Sequence, residues 1–442
     1  MKYDVMIIGG GPGGYTAANH AAVNGLKTVL FEKNKLGGTC LNRGCIPMKS
    51  LIQSAKIYDQ ALNSELYGVK TDSVTYASDK INERRDNVVE TLRNGIEKGL
   101  LKNKVEIVYG EAELKDKNTI ICNGETYEGD NIVIAAGSTV FVPPIEGKEY
   151  ALSSDDILEA DHQVPESMII IGGGVIGVEL ADAYATLGSK ITIIEMAEHI
   201  LPNMDKEIAQ RLSMFLKKKN VEIYTSAKVE KINEDHSVVF TDKKEEKQTL
   251  NASEVLVAAG RKADVSQFMN NDIGLSITRG IEGDDSCKTV VDNIYVIGDA
   301  KAGNIQLAHV AEAQGANVIE TILGKKEVHD MKVIPSCIYT EPEIACVGMG
   351  EDELKKQGTE YAVKKVLTGA NGKCLIENSE SGFVKLISID EVIVGAQIIA
   401  PHATEMIAEL AVAVENRMKL SDLERTVHPH PTISEMIWDA AK

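Results

Sequence analysis

Positive charge is in short supply. The 442-residue chain has 47 lysines and arginines against 66 aspartates and glutamates, a formal net charge of −19. A nucleic-acid partner needs a basic face, so this balance argues against one. It argues more weakly against an anionic membrane surface. An acidic exterior can also do no more than keep a protein soluble, and both readings stay open. Long apolar runs are missing too. The hydrophobic stretches are broken by glycine or charge, so no membrane-spanning helix is expected. No basic segment, apolar stretch and cleavage site precede the first strand-like run, Tyr3-Asp4-Val5-Met6-Ile7-Ile8. No secretory signal is therefore expected, and a cytoplasmic location is the default. Low-complexity tracts and long linkers are also lacking.

Cysteine is sparse and unevenly placed. An odd count of 7, spread over a long chain, excludes a secreted disulfide framework. Cys122, Cys287, Cys337, Cys346 and Cys374 are isolated and are expected to be buried small hydrophobes. Only Cys40 and Cys45 lie close together.

What is present begins with a duplication. A chain of this length holds two to four domains. Val5 to Gly14 and Met168 to Gly177 each read as an apolar strand running into G-x-G-x-x-G and a helix. In that motif one glycine makes the tight turn, one admits a pyrophosphate, and one lets helix and strand pack. The helix N-terminus then offers free N–H groups to the phosphates. An acid follows in both copies, Glu32 and Glu195, each 23 positions after the first glycine. That spacing suits a carboxylate at the end of the second strand, bonded to a ribose diol. Each copy closes on a strand and small turn, Ile132 to Gly137 and Val255 to Gly260. Glu32 to Ala135 spans 103 positions but Glu195 to Ala258 only 63, so the first copy carries about 40 extra residues. That insert holds the cysteine pair and a helical pattern from Leu51 to Leu101.

Asn293 to Asp299 is a short apolar strand ending in Gly-Asp. It suits contact with a cofactor's ribityl or phosphate region, or an ordinary turn. From about Ile334 the texture changes to short β-rich runs and a helix from Thr404 to Glu415. The fold class expected is α/β, with two Rossmann-like dinucleotide-binding domains and a C-terminal α+β domain. The likeliest joins lie near Gly147, Ala263 and Val333. They give 1–146 with the reactive insert, 147–263 as the second unit, 264–333 completing the first, and 334–442.

The segment Gly37-Gly38-Thr39-Cys40-Leu41-Asn42-Arg43-Gly44-Cys45-Ile46-Pro47-Met48-Lys49 places two cysteines before a helix-like stretch. A disulfide can bridge them if the turn is tight. A helix N-terminus and nearby Lys49 or Arg43 would favour a thiolate, which thiol–disulfide exchange requires. Structural zinc needs four ligands, and no second pair has ligand spacing, so no metal is expected. Coincidental proximity is the other alternative. At the far end, His428-Pro429-His430-Pro431-Thr432-Ile433-Ser434-Glu435 places two histidines between stiffening prolines. Thr432 or Ser434 could cap a helix with Glu435 in its first turn. A carboxylate there fixes an imidazole's tautomer and raises its basicity, and the pair could take a proton from a dithiol. A plain capped helix start is the alternative.

These segments together resemble the flavin-dependent pyridine nucleotide–disulfide oxidoreductases. GGTCLNRGCIPMK is similar to that family's redox-active disulfide segment and HPHPTISE to its C-terminal histidine–glutamate segment. Asn293 to Ala300 resembles its FAD strand, Leu307 to Glu312 its flavin-edge helix, and Pro335 to Glu343 the start of its interface domain. The likeness spans the chain, in the family's order. It implies that Gly9, Gly11, Gly14 and Glu32 bind the ADP half of FAD, with Asp299 nearer the isoalloxazine. Gly172, Gly174, Gly177 and Glu195 would bind NAD, and Gly137, Ala308 and Gly260 complete the cofactor-binding set. Cys45 would face the flavin and Cys40 exchange with substrate. Lys49 would pair with Glu179 near the flavin. His430, oriented by Glu435, would act across a homodimer on the partner's disulfide, so the active sites would be shared. Met48 and Pro429 depart from the family's usual small residues, and the chain is somewhat short for it. Glu195, with no arginine among Met196, Ala197 and Glu198, favours NAD over NADP, since a carboxylate repels a 2′-phosphate. The C-terminus, Trp438 to Lys442, has no cysteine pair. That counts against mercuric reductases and relay-type thioredoxin reductases. Dihydrolipoamide, or lipoyl-bearing protein domains, is the substrate left by resemblance and elimination. Three other readings are a related FAD- and NADH-dependent reductase of another disulfide, an NADH oxidase using the thiols as an internal relay, and a non-covalent assembly component with catalysis secondary.

Overall fold

The structure, a computed structural model, describes residues 2–159, 161–269, 273–379 and 381–442. From the N-terminus, β1 (Lys2–Ile8), α1 (Pro12–Val23) and β2 (Thr28–Glu32) form the first βαβ unit. A helical insert follows, α2 (Gly38–Arg43), α3 (Cys45–Leu62) and α4 (Ser78–Lys102). Then come β3 (Glu106–Tyr109), β4 (Ala112–Asp116), β5 (Thr119–Cys122), β6 (Glu125–Ile134) and β7 (Ser138–Val140). The second unit holds β8 (Leu152–Ser153), α5 (Ser154–Glu159), β9 (Ser167–Ile171), α6 (Val175–Thr186), β10 (Lys190–Ile194), α7 (Lys206–Lys218) and β11 (Glu222–Tyr224). Its meander and last strands are β12 (Lys228–Ile232), β13 (Ser237–Thr241), β14 (Lys247–Asn251), β15 (Glu254–Val257) and β16 (Arg261–Ala263). The chain returns through β17 (Ile294–Val296) and α8 (Ala308–Ile322).

The duplication is visible in the topology. The first sheet runs β3-β2-β1-β6, with β17 and β5 on the far side of β6; the second runs β11-β10-β9-β15-β8. β17 and β8 take equivalent edges, although one follows its βαβ unit in sequence and the other precedes it. The central strands β1 and β9 are buried along most of their length. They lie in parallel sheets covered on both faces, which is why they read as unbroken apolar runs. β7 and β16 pair antiparallel as a two-stranded link between the units.

The C-terminal part is an antiparallel sheet ordered β18 (Ser336–Ile338), β19 (Glu343–Gly348), β22 (Val392–Ala400), β21 (Phe383–Ile389) and β20 (Ala362–Leu367). Its helices are α9 (Glu351–Gln357), α10 (Gly372–Ile376), α11 (Ala403–Glu415), α12 (Leu420–Glu424) and α13 (Glu435–Ala441). Met406, Ile407 and Leu410 of α11 and Met436 and Ile437 of α13 join Val384, Leu386 and Ile398 in one core. Ile338, Ile344, Phe383 and Ile399 instead join the core of the second dinucleotide unit, so this sheet is packed on both faces.

Candidate active site

The two glycine turns are built alike. Gly9 and Gly172 sit at φ +104° and +116°, where a Cβ would strike the carbonyl oxygens of Ala135 and Ala258. A Cβ on Gly14 or Gly177 would strike the carbonyl of that first glycine, so the third glycine fixes how closely helix meets strand. The middle glycines differ: Gly11 has no neighbour nearer than 3.7 Å and Gly174 has open space. Both face a continuous cavity of about 2140 Å³. A single-ligand pocket is usually about 300–1,000 Å³, so this one suits two dinucleotides laid end to end. The N-termini of α1 and α6, each a helix of 12 residues, open onto it with free N–H groups. The residues present therefore fit two dinucleotide cofactors, one at each cradle.

Gly9, Gly11, Glu32, Cys40, Cys45, Lys49, Gly137, Gly172, Gly174, Glu179, Glu195, Gly260, Asp299 and Ala308 all line this cavity. Gly14 and Gly177 lie behind it as packing positions. Glu32 and Glu195 are buried and do more than face a ribose. Glu32 accepts the N–H groups of Gly10 (2.8 Å) and Asn34 (2.7 Å), and Glu195 those of Gly173 and Ala197 (both 2.6 Å). Each carboxylate oxygen keeps a free lone pair for a hydroxyl. Sequence spacing had suggested the ribose contact but not this bracing of the glycine turn.

Cys40 and Cys45 form a disulfide. Cys40 lies in α2 and Cys45 is the first residue of α3, a helix of 18 residues. Cys45 and Lys49 are one turn apart, on the same face. The nearby cations are already committed. Arg43 lies 3.4 Å from both Asp155 and Glu159, and Lys49 bridges Glu179 at 2.9 Å. The α3 N-terminus is the group free to stabilise a Cys45 thiolate. Glu179, on α6, is buried to 2 % exposure and also accepts the Tyr339 N–H at 3.0 Å. The Tyr339 ring covers Lys49 Nζ, 4.4 Å from its centroid. Asp299 accepts from the Ser138 hydroxyl at 2.6 Å, and Ser138 accepts from Arg261 Nε at 3.0 Å. Burial pushes the Asp299 carboxyl above the usual range, against the opposing pull of Ser138 and Arg261. Sequence reading missed the side-chain contacts of Tyr339, Ser138 and Arg261, because each meets its partner from a segment far along the chain.

Two expectations are corrected. Cys122, Cys287 and Cys374 are buried, but Cys337 and Cys346 are only half-buried, and Cys337 lines the cavity. Cys337 stands on β18, a short edge strand, between the C-terminal core and the cavity, whereas Cys346 stands on β19 and packs against the core of the second dinucleotide unit. Neither Thr432 nor Ser434 caps α13 with its side chain; the Thr432 hydroxyl donates to the Pro429 carbonyl instead. Glu435 organises the turn, accepting the Thr432 N–H at 2.8 Å and meeting His430 Nδ1 at 2.9 Å. His430 itself is 80 % exposed and does not line the cavity. Within one chain it and Cys40 are not brought together. Among the described residues no group of three or more His, Cys, Asp or Glu could hold a metal ion, and no helix is long and apolar enough to cross a membrane.

Two dinucleotide cradles meeting at a helix-mounted disulfide define a nicotinamide-linked flavoprotein disulfide reductase. Residues 3–315 match the family model of the pyridine nucleotide-disulphide oxidoreductases, and 334–441 match that family's dimerisation domain. The chain belongs to this family and is an oxidoreductase that uses FAD and NAD. It is 42% identical to a dihydrolipoyl dehydrogenase of Geobacillus stearothermophilus over 100% of this chain and 96% of that one. Identity to the enzyme of that name from Bacillus subtilis (strain 168) is 39%, with the same coverage. Among solved structures, the HOCl-induced flavoprotein disulfide reductase RclA from Escherichia coli superposes with a TM-score of 0.88 at 27% identity, over 99% of both chains.

Proposed function

We propose that this chain is a dihydrolipoyl dehydrogenase, passing electrons from dihydrolipoamide or lipoyl-bearing protein domains to NAD⁺. The observation that carries this is the Cys40–Cys45 disulfide, set at the start of α3 where the two dinucleotide cradles meet. Full-length likeness to enzymes of that name supports the substrate. Residues 1–146 and 264–333 serve as the FAD unit, 147–263 as the NAD unit, and 334–442 as the interface of a homodimer. The location is cytoplasmic.

The attacked sulfur follows from the helix. In exchange the better leaving thiolate departs first, and the α3 N-terminus favours Cys45 in that role. A dihydrolipoyl thiolate therefore attacks Cys40 Sγ, forming a mixed disulfide and releasing Cys45 as thiolate. The second lipoyl thiol then attacks its own sulfur in the mixed disulfide and frees Cys40. The lipoyl group ends oxidised and the cysteine pair reduced. His430 of the partner subunit, held by its Glu435, takes the proton from the attacking dithiol. FAD, when bound along Gly9 to Gly14 and Asp299, supplies the two-electron link between Cys45 and the nicotinamide. Glu195 holds the adenosine ribose diol of NAD, and Glu179 with Lys49 lines the wall between the two cofactors.

An anaerobic visible spectrum taken before and after one equivalent of dihydrolipoamide tests this. A flavin spectrum that gains a long-wavelength thiolate-to-flavin band supports cofactor, cysteine pair and substrate together. A flavin that responds to NADH but not to dihydrolipoamide would remove this substrate.

A further inference from the structure

Lys49 and Glu179 form their ion pair at the wall between the two cofactor cradles, yet α3 and α6 do not hold it alone. The pair is part-exposed on the lysine side, at 32 %. A lysine there, on a four-carbon stem, has freedom to swing away from its partner. The chain segment just after β18 restricts it. Tyr339 lays its ring over Lys49 Nζ at 4.4 Å and gives its backbone N–H to Glu179 Oε1 at 3.0 Å. Two residues on, the Glu341 N–H donates to Asp182, one turn along α6, at 3.1 Å. The segment is thus strapped across α6 by two buried carboxylates, and Tyr339 is fixed above the lysine.

We propose that Tyr339 is a positioning residue for the nicotinamide half of the reaction: its ring and its amide together hold the Lys49–Glu179 pair at the wall facing the flavin. A cation is attracted to the ring face, so Lys49 stays between its carboxylate and the aromatic instead of sampling solvent. Burial, with help from Cys337 and Glu179, pushes the Tyr339 phenol up to about 12, so the ring is neutral at any working pH. The Lys49 charge therefore stays at the cavity wall, where a fixed cation would favour the reduced, more negative form of a bound flavin. The interface sheet thus contributes to hydride transfer within its own subunit. This inference rests on the flavin–nicotinamide chemistry of the proposed function but not on lipoamide as the substrate.

The test compares Y339F and Y339L in FAD-loaded dimer, reading the flavin midpoint potential and its reduction by NADH in a stopped-flow instrument. Y339F keeps the ring and is expected within about twofold of the parent. Y339L is expected to shift the potential negative and slow NADH reduction about three- to thirtyfold, the range a part-buried cation–π contact spans. In a K49M background the same Leu substitution should change nothing further. If Y339L fails to load FAD, progressively fluorinated phenylalanine at position 339 keeps the shape and weakens the ring face; the rate should then fall with each fluorine. An unchanged potential and rate in Y339L, an equal loss in Y339F, or a loss that persists undiminished beside K49M would each overturn the assignment. Failure to oxidise dihydrolipoamide would count only against the proposed substrate, since these readouts need NADH and flavin alone.

Discussion

At the scale of single residues, the groups proposed to react lie in two short stretches of the chain. Cys40, Cys45 and Lys49 fall within one turn-and-helix segment, and His430 and Glu435 within another. Replacing His430 with Gln is expected to slow the dithiol half-reaction about 10²–10⁴-fold, the usual worth of a general base. NADH oxidation by an artificial acceptor should stay close to that of the parent; equal loss in both assays would remove His430 from the role. Cys337 gives a second check. Burial, with the Glu343 charge, pushes its thiol up to about 11, so near neutral pH almost none is thiolate. In the reduced enzyme, alkylation followed by mass spectrometry should mark Cys40 or Cys45 first. Labelling of Cys337 should rise about tenfold per pH unit up to that value. Sequence alone had assigned Cys337 to a core, because isolation along the chain is silent about which side of an edge strand a thiol faces.

At the scale of elements, matched glycines carry opposite consequences. Gly14→Ala would drive a Cβ into the Gly9 carbonyl, and Gly177→Ala would do the same at Gly172. Each overpacks a helix–strand contact and should cost about 1–3 kcal/mol. G14A should lower the FAD-to-protein absorbance ratio, whereas G177A should keep the flavin and raise KM for NADH. The reverse pattern would mean the two cradles are assigned the wrong way round. These contacts were legible in sequence as motif spacing. The contact between α7 and the C-terminal sheet was not. Asp205 accepts the Glu351 N–H at the start of α9, and Asp352 accepts the Lys206 N–H at the start of α7, so each segment caps the other's helix. Beside them Lys385, 1 % exposed, bridges Glu207 at 2.5 Å and Glu351 at 2.6 Å. Burial alone would raise both carboxyls, but hydrogen bonds from Lys365 and Lys385 to Glu207, and from Lys385 to Glu351, hold them low. Burial likewise disfavours the Lys385 charge, yet the two glutamates raise it. Depressed carboxyls stabilise above their ordinary value of about 4.3 and lose that contribution as pH falls through the folded value. The raised lysine stabilises below about 10.4 and loses its contribution as pH rises through the folded value. Because both glutamates are part-exposed and keep other partners, Lys385→Met should cost about 1.5–3 kcal/mol across the neutral range. In thermal melts against pH that deficit should shrink at both the acid and the alkaline ends; a flat deficit would point to packing rather than charge.

At the scale of the whole molecule, the exposed His430 and the cavity-lining disulfide must be joined by a second copy if they share one site. Inactive C45S and H430Q variants, unfolded together and reassembled, test this. Random pairing makes half the dimers hybrid, each with one intact site of two, so about a quarter of parental activity should return if the sites are shared in a twofold-symmetric dimer. No recovery, in mixtures shown to contain hybrids, would place His430 outside the partner's site. The duplicated strand–glycine–helix units, their acids and the closely spaced cysteine pair can be read from the chain alone. All of these are set by contacts within a few tens of residues, where spacing along the chain and spacing in space agree. Packing of distant segments, by contrast, lays Tyr339 over Lys49, sets Ser138 and Arg261 behind Asp299, and buries Lys385 between two glutamates. Each of those contacts joins segments more than thirty positions apart, where no periodicity links the partners and packing of whole sheets and helices sets the distance.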